Sequence, residues 1–350
     1  MAGRSSPPHT RRTRWSSPSP SASWRQAWLP SAWRRAICLC SWKRPPVRLR
    51  SRGATLLTGF GRRGGNASRA AGAVVVSYAR ILEELHSQGD KRPELADVIQ
   101  LHCELLQAQA RAQFSPRRPA LSDEEASERL QQGSPLLSPE SLELDGQTLA
   151  GLCDQMGFIV AEHRPDLAET LARIRAWLDE KREQIEVLAA EYLREGRVRE
   201  GEGAGLDGNL LAFVFNNALR PLLRAQAQAL APSVDDSVWY RSRCPICGGE
   251  PDLAALEPES GRRRLLCSRC DSEWTFQRIG CPFCGNDDPQ KLAYYPSDDQ
   301  VYRLSVCEQC RRYLKTIDLR QVAGERLLPA ERVLTVAMDM AALDAGYGEG

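Results

Sequence analysis

Cys244-Pro-Ile-Cys247-Gly248 is followed by Cys267-Ser-Arg-Cys270, with 19 residues between Cys247 and Cys267, and Cys281-Pro-Phe-Cys284-Gly285 by Cys307-Glu-Gln-Cys310, with 22 between Cys284 and Cys307. Two thiolates two residues apart can grip one ion when the backbone folds into a tight knuckle whose amides point at the sulfurs. Proline sets φ early in that turn, and the glycine after the second cysteine suits the left-handed conformation at its end. Two knuckles joined by a hairpin then close a tetrahedral four-sulfur site. The Cys-Pro-x-Cys-Gly unit recurs 37 positions on and the plain pair 40 positions on, so one ribbon is duplicated. Sequential pairing follows from that repeat, with interleaved pairing of first with third and second with fourth as the other arrangement.

Eight of the 12 cysteines lie in these pairs, while Cys38, Cys40, Cys103 and Cys153 are scattered. No thioredoxin-like βαβ pattern surrounds the pairs, which favours metal over redox motifs or local disulfides. A soft set of four sulfurs suits either rubredoxin-type iron or zinc. With four protein ligands it keeps no place for water, so hydrolytic or deaminating zinc chemistry is disfavoured. No catalytic constellation is read. The strand signals in the module are Arg262 to Leu266, Trp274 to Ile279, Val301 to Val306 and Tyr313 to Leu319. Between Arg241 and Arg320 there are 13 bases and 12 acids, a balance that favours a protein surface over nucleic acid as the target.

Upstream, residues 1–82 hold 16 Lys or Arg and no acid, leaving 31 bases against 45 acids in the rest of the 350 residues. An acidic body of that kind disfavours nucleic acid and anionic membrane as main partners. No apolar run reaches the roughly 18 residues a membrane helix needs. Residues 1–73 lack any period and read as disordered, or as sequence ahead of a translation start near Val74. Within them, Arg34-Arg35 has too short an apolar stretch for an export signal, and Gly59 to Gly64 matches GxGxxG by chance.

Residues 74–232 read as an acidic helical domain. Pro93 opens a helix carrying Leu95, Val98, Ile99, His102 and Leu106, and Ser122 to Glu125 forms a capping box for a helix ending near Gly133. A third helix covers Leu149 to Ala161. The longest starts at Pro165 and keeps its apolar spacing through Leu188 to a C-cap at Gly196. Leu210 to Leu230 is apolar nearly all round, kinked or split at Pro221. His86, His102 and His163 are isolated, and Cys103 and Cys153 read as small core residues. The remaining divisions are a first ribbon over 233–280, a second over 281–322, and a C-terminal helix and tail over 323–350. The fold class is therefore α+β, an all-α domain followed by two tandem rubredoxin-like or zinc-ribbon modules.

The wording around the cysteines resembles the formate dehydrogenase accessory protein (FdhE) family: RCPICGGEP at 243–251, LLCSRCDSEWTFQRIGCPFCGN at 265–286 and VYRLSVCEQCRRYLKTIDLR at 301–320. GSPLL at 133–137 and RVLTVAMDMAALDAGY at 332–347 add to the likeness, which runs from about Val74 to Tyr347. The resemblance implies a cytoplasmic maturation factor rather than an enzyme, acting on the catalytic subunit of a molybdenum- and selenium-containing formate dehydrogenase that is exported once folded; we expect it to bind that subunit through both the helical domain and redox-active metal ribbons. It also implies rubredoxin-type iron, with a redox role toward the client, at Cys244, Cys247, Cys267, Cys270, Cys281, Cys284, Cys307 and Cys310. The second set is favoured for that role because the aromatic side chains of Phe283, Tyr302 and Tyr313 are expected to shield a redox centre there. The competing reading is a zinc-ribbon protein that binds nucleic acid or the ribosome.

Overall fold

A computed structural model describes residues 47–48, 75–112, 114 and 121–348. The expectations for residues 1–73 fall outside the described residues, apart from the two-residue strand β1, Val47–Arg48. Helix α1 is Tyr78–Gly89, capped by the Ser77 hydroxyl, and a 3-10 turn at Pro93–Leu95 leads into α2, Ala96–Arg111. Helix α3, Asp123–Gln132, carries the full capping box between Ser122 and Glu125 and ends on Gly133 at φ +80°. Helix α4 is Gly146–His163, starting on the carboxylate of Asp145, which accepts from the amides of Gln147 and Thr148.

The single helix expected from Pro165 to Gly196 is two, α5 at Ala168–Glu180 and α6 at Ile185–Glu195, separated by a 3-10 turn at Arg182–Gln184. Lys181 and Arg182 occupy the turn where an unbroken apolar face would need a core residue. The break lets Leu178 and Ile185, seven positions apart, reach the core from differently directed helices. Helix α7, Arg199–Gly203, is a single turn. Helix α8, Gly208–Leu230, runs unbroken through Pro221. Proline leaves the Asn217 carbonyl without its intrahelical donor, and the buried Gln109 side chain of α2 supplies one at 3.2 Å while also bonding Asn217 Oδ1 at 3.0 Å.

Beyond α8 come β2, Pro251–Leu256; β3, Arg263–Cys267; β4, Glu273–Phe276; β5, Leu292–Pro296; β6, Tyr302–Cys307; and β7, Tyr313–Asp318. Strands β2 and β5 carry no strand signal in the sequence reading. Each ribbon is an antiparallel meander, and the two join through a parallel pairing of β7 with β2 into one sheet of order β1-β5-β6-β7-β2-β3-β4. The fold is α+β, and its layers share a core. Leu211, Phe215 and Leu219 of α8 pack in one cluster with Ala254, Leu265 and Trp274 of the first ribbon. The two C-terminal helices, α9 at Leu328–Leu334 and α10 at Val336–Asp344, return across the sheet. Val333 and Leu334 pack on Ile81 and Ile99, and Met338 and Ala342 pack on Ala293 and Val306.

His102 lies in this assembly as a partly buried side chain whose Nδ1 donates to the Val98 carbonyl at 2.8 Å. Burial first, and then the positive charges of Arg220, Lys315 and Arg332, push its pKa down to about 4 from 6.5. Between those values the unfolded chain binds a proton that the folded chain refuses, so stability falls as pH falls through that window. The loss amounts to about 2 to 3 kcal/mol. In denaturant titrations taken from pH 7 to pH 4, His102→Gln should remove that part of the acid slope. A variant as steep as the wild type would assign the slope elsewhere.

Candidate metal centres

Each cysteine pair sits in a knuckle whose first cysteine amide donates to the carbonyl five residues on. Cys244 N donates to Gly249 O at 2.9 Å and Cys281 N to Asn286 O at 2.8 Å, while Gly248 N and Gly285 N reach back to Cys244 O and Cys281 O at 3.0 Å. The residue after the second cysteine is left-handed in all four: Gly248 at φ +69°, Asp271 at +58°, Gly285 at +74° and Arg311 at +55°. A non-glycine there carries a backbone cost, so both exceptions invite a structural reason. Gly249 serves a second need, because a Cβ on it would lie 2.8 Å from Cys267 Sγ.

The knuckles bring the sulfurs together sequentially, Cys244, Cys247, Cys267 and Cys270 in one group and Cys281, Cys284, Cys307 and Cys310 in the other. In the first, Cys244 lies 3.6 Å from Cys270, and Cys247 lies 3.4 Å from both Cys267 and Cys270. In the second, Cys281 lies 3.6 Å from Cys310 and Cys284 lies 3.8 Å from Cys307. A tetrahedron with metal–sulfur bonds of about 2.3 Å has edges of about 3.8 Å. Disulfide sulfurs stand about 2 Å apart, and no described cysteine is so bonded. The donor sets therefore fit metal ions.

Charge supports the same fit at the first group, whose four cysteines are all buried. Burial pushes the Cys244 thiol well above its ordinary range, so four thiolates there need cations beside them. They have them: Arg269 acts on Cys247 and Cys267, Arg220 on Cys267, and Arg224 on Cys270. Arg332 donates to the Cys267 carbonyl at 2.7 Å. Asp271 and Asp252 offset two of these four charges. A divalent ion held by four thiolates carries a net −2, which complements the residual +2.

Asp271 explains its own left-handed backbone. Its carboxylate, 1% exposed, accepts from Arg220 at 2.8 Å, from Arg332 at 2.7 Å and from Arg224. One knuckle is thereby tied to α8 and to α9. Arg269 extends the tie to α6, donating to Leu193 O at 2.7 Å and Tyr192 O at 3.0 Å. The Gly133 to Leu137 segment docks on the first knuckle as well, with the Leu136 and Leu137 amides donating to Pro245 O and Ile246 O at 2.9 and 2.8 Å. Sequence reading missed this arginine set, although Arg220 and Arg224, four apart inside an otherwise apolar helix, were a visible signal. At the equivalent place in the second ribbon, Arg311 ties its knuckle to the C-terminal tail, lying 4.0 Å over the Tyr347 ring and bonding Glu308 at 2.5 Å.

The second group is more open, with Cys284 exposed and Cys310 half-buried. Of the three aromatics expected to shield it, Phe283 packs against Cys281 and Cys307. Tyr302 and Tyr313 instead turn to the C-terminal helices, bonding Glu331 and Asp339 at 2.8 Å, because alternate residues of β6 and β7 face that layer. Of the histidines, His163 contacts Glu104 at 3.1 Å, away from both groups. Cys103 and Cys153 are buried as core residues, and burial raises both thiols.

No family model matches the chain. It is 25% identical over 258 residues to a protein of Aquifex aeolicus called Protein FdhE homolog, covering 72% of this chain and 83% of that one. Proteins of the same name match from Shewanella oneidensis, 25% identical over 202 residues, and Pseudomonas aeruginosa, 32% identical over 180 residues. Those matches cover 57% and 45% of this chain, and 63% and 57% of the relatives, less than two thirds of their length. In three dimensions the chain is similar to the crystal structure of the FdhE protein from Pseudomonas aeruginosa, with a TM-score of 0.51 and 22% identity over 79% of this chain and 95% of that one.

Proposed function

Because the chain belongs to the FdhE family, we propose that it is a maturation factor for formate dehydrogenase, which binds the catalytic subunit of that enzyme in the cytoplasm. The observation that carries the reading is the match across most of a whole relative, joined to two four-cysteine groups in chain order behind a helical layer. In this reading the eight paired cysteines hold two ions, rubredoxin-type iron in preference to zinc. Iron so held supplies one-electron chemistry. The chain's own part is to bind and to orient. Four sulfurs around each ion leave no open position for a substrate on the metal, which supports reading the protein as an accessory factor that acts on a client rather than as an enzyme. Residues of the first group are locked into the core by Asp271 and its arginines, while Cys284 presents the second group to solvent and hence to a client surface. No helix among the described residues is long and apolar enough to cross a membrane.

Deleting the gene from its host should abolish formate oxidation while immunoblots still show the catalytic subunit, and the wild-type chain should restore it. Protein purified without oxygen and then exposed to air should turn red with ferric iron, where zinc would leave it colourless. Normal formate oxidation in the deletion strain, with colourless protein that retains RNA in a salt-sensitive manner, would overturn the reading in favour of a nucleic-acid-binding zinc ribbon.

A further inference from the structure

At the second four-cysteine group, the sheet and the 277–289 segment that carries the Cys281 knuckle enclose an open-sided cleft of about 920 Å3. None of its described lining residues belongs to a helix. Arg303, Ser305 and Cys307 of β6 alternate with Val306, which meets the C-terminal helices, so these three lie on the opposite face of the sheet. Arg303 and Thr316 are cross-strand partners there, and Ser305 Oγ lies 3.2 Å from Thr316 Oγ1. Four arginines line the cleft, Arg263, Arg278, Arg303 and Arg312, against Asp287 as the one carboxylate among the described lining residues.

Two of the arginines are braced from behind. Arg303 pairs with Asp318, and Arg312 pairs with Glu250 at 2.6 Å while lying 3.8 Å over the Phe283 ring. The other two have no carboxylate partner among the described residues. Arg263, 6% exposed, makes one hydrogen bond, to the Gly280 carbonyl at 2.9 Å, and Arg278 stands exposed at the mouth. These arginines stand against Asp287 and the negative four-sulfur group, and their guanidinium groups supply cationic hydrogen-bond donors to the cleft in a body that is acidic overall. The floor is apolar, with Leu256, Leu292 and Leu314, and Ile279 at the rim is 44% exposed.

We propose that this cleft binds an extended acidic segment of the client polypeptide and lays it against the second four-cysteine group, whose Cys281 and Cys307 also line the cleft. The proposal rests on the client-binding reading above and adds the place and the chemistry of contact. The volume is at the top of the range for small-molecule pockets, about 300 to 1,000 Å3, and one side is open. Apolar floor and cationic walls together ask for a chain that alternates apolar side chains with carboxylates, which a single small anion does not supply.

The full chain, checked for two metal ions by elemental analysis, should bind a fluorescein-labelled octapeptide alternating glutamate and leucine, as read by anisotropy. A matched lysine and leucine peptide should not bind. Arg278→Glu should weaken binding about tenfold, Asp287→Asn should tighten it about threefold, and salt should weaken it. Equal binding of both peptides, or affinities unmoved by the two substitutions, would overturn the cleft and leave its arginines as counter-charges to the thiolates. Capture of the formate dehydrogenase catalytic subunit separates this proposal from the one it rests on. Capture by the wild type that Arg278→Glu abolishes supports both. Equal capture by both chains sinks the cleft alone. No capture by the wild type, with peptide binding intact, sinks the client reading and leaves the acidic-segment site standing.

Discussion

Cys267→Ser should unfold most of the protein, whereas Cys284→Ser should remove one metal ion and leave the helical layer standing. Structural metal in small sites contributes about 10 kcal/mol or more, comparable with the whole stability of an ordinary domain at about 5 to 15 kcal/mol. The question is where that energy is coupled. Cys267 is fully buried, and the sulfurs of its group belong to the same packed cluster as Phe215, Leu265 and Trp274. Without an ion, three remaining thiols and four arginines face each other in the middle of the core. The second group lies at the rim with Cys284 exposed, in a small cluster of its own with Phe283 and Leu292. Elemental analysis should therefore give about two metals per chain for the wild type and one for Cys284→Ser. Far-ultraviolet circular dichroism should show a cooperative helical melt in Cys284→Ser and its loss in Cys267→Ser. A chelator added to the wild type should strip the second ion first. Helical melting of Cys267→Ser within a few degrees of the wild type would show that the first group is not coupled to the core.

What the sequence specifies locally and what it does not follows from the range of the interactions. The knuckles are local: a proline, a glycine and two sulfurs within five residues specify them, so the sequential grouping of the cysteines is legible. The same holds for the capping box at Ser122 and Glu125, where both partners lie within one turn. The joining of the ribbons is not local. Leu253 pairs with Lys315 in the parallel register of β2 with β7, across more than sixty residues of chain, and nothing near either residue announces the other. Strands β2 and β5 were invisible because Pro-Asp-Leu-Ala-Ala-Leu and Leu-Ala-Tyr-Tyr-Pro are short and alternate poorly. The break at Lys181 was hidden by a spacing of seven, which an unbroken helix and two helices with a turn satisfy equally well. Asp271 was hidden for a different reason. Its role needs three arginines from two distant helices, and a residue's own neighbours cannot reveal that.

Asp271→Asn should lower the melting temperature by about 10 °C while leaving the backbone of the knuckle intact. Asparagine accepts the left-handed conformation as readily as aspartate, so the substitution removes charge without adding strain. What it leaves is Arg220, Arg224 and Arg332 gathered around a neutral amide, with side chains 8%, 4% and 16% exposed. Breaking a buried ion pair by deleting one partner costs about 3 to 5 kcal/mol, because the surviving charge stays desolvated and unpaired. In a chain of this length each kilocalorie moves the melting temperature by about 2 to 4 °C. Burial already lowers the pKa of Arg220 and Arg224 to about 10, which marks how unfavourable their setting is. Arg224→Met in the Asp271→Asn background should then recover part of the loss, since it deletes one uncompensated charge, although alone it should destabilise. That opposite sign is the signature of coupling in a double-mutant cycle. If Asp271→Asn melts within about 2 °C of the wild type, or if the two substitutions simply add, the knuckle is held to α8 and α9 by apolar packing and the thiolates, not the aspartate, are what the arginines serve.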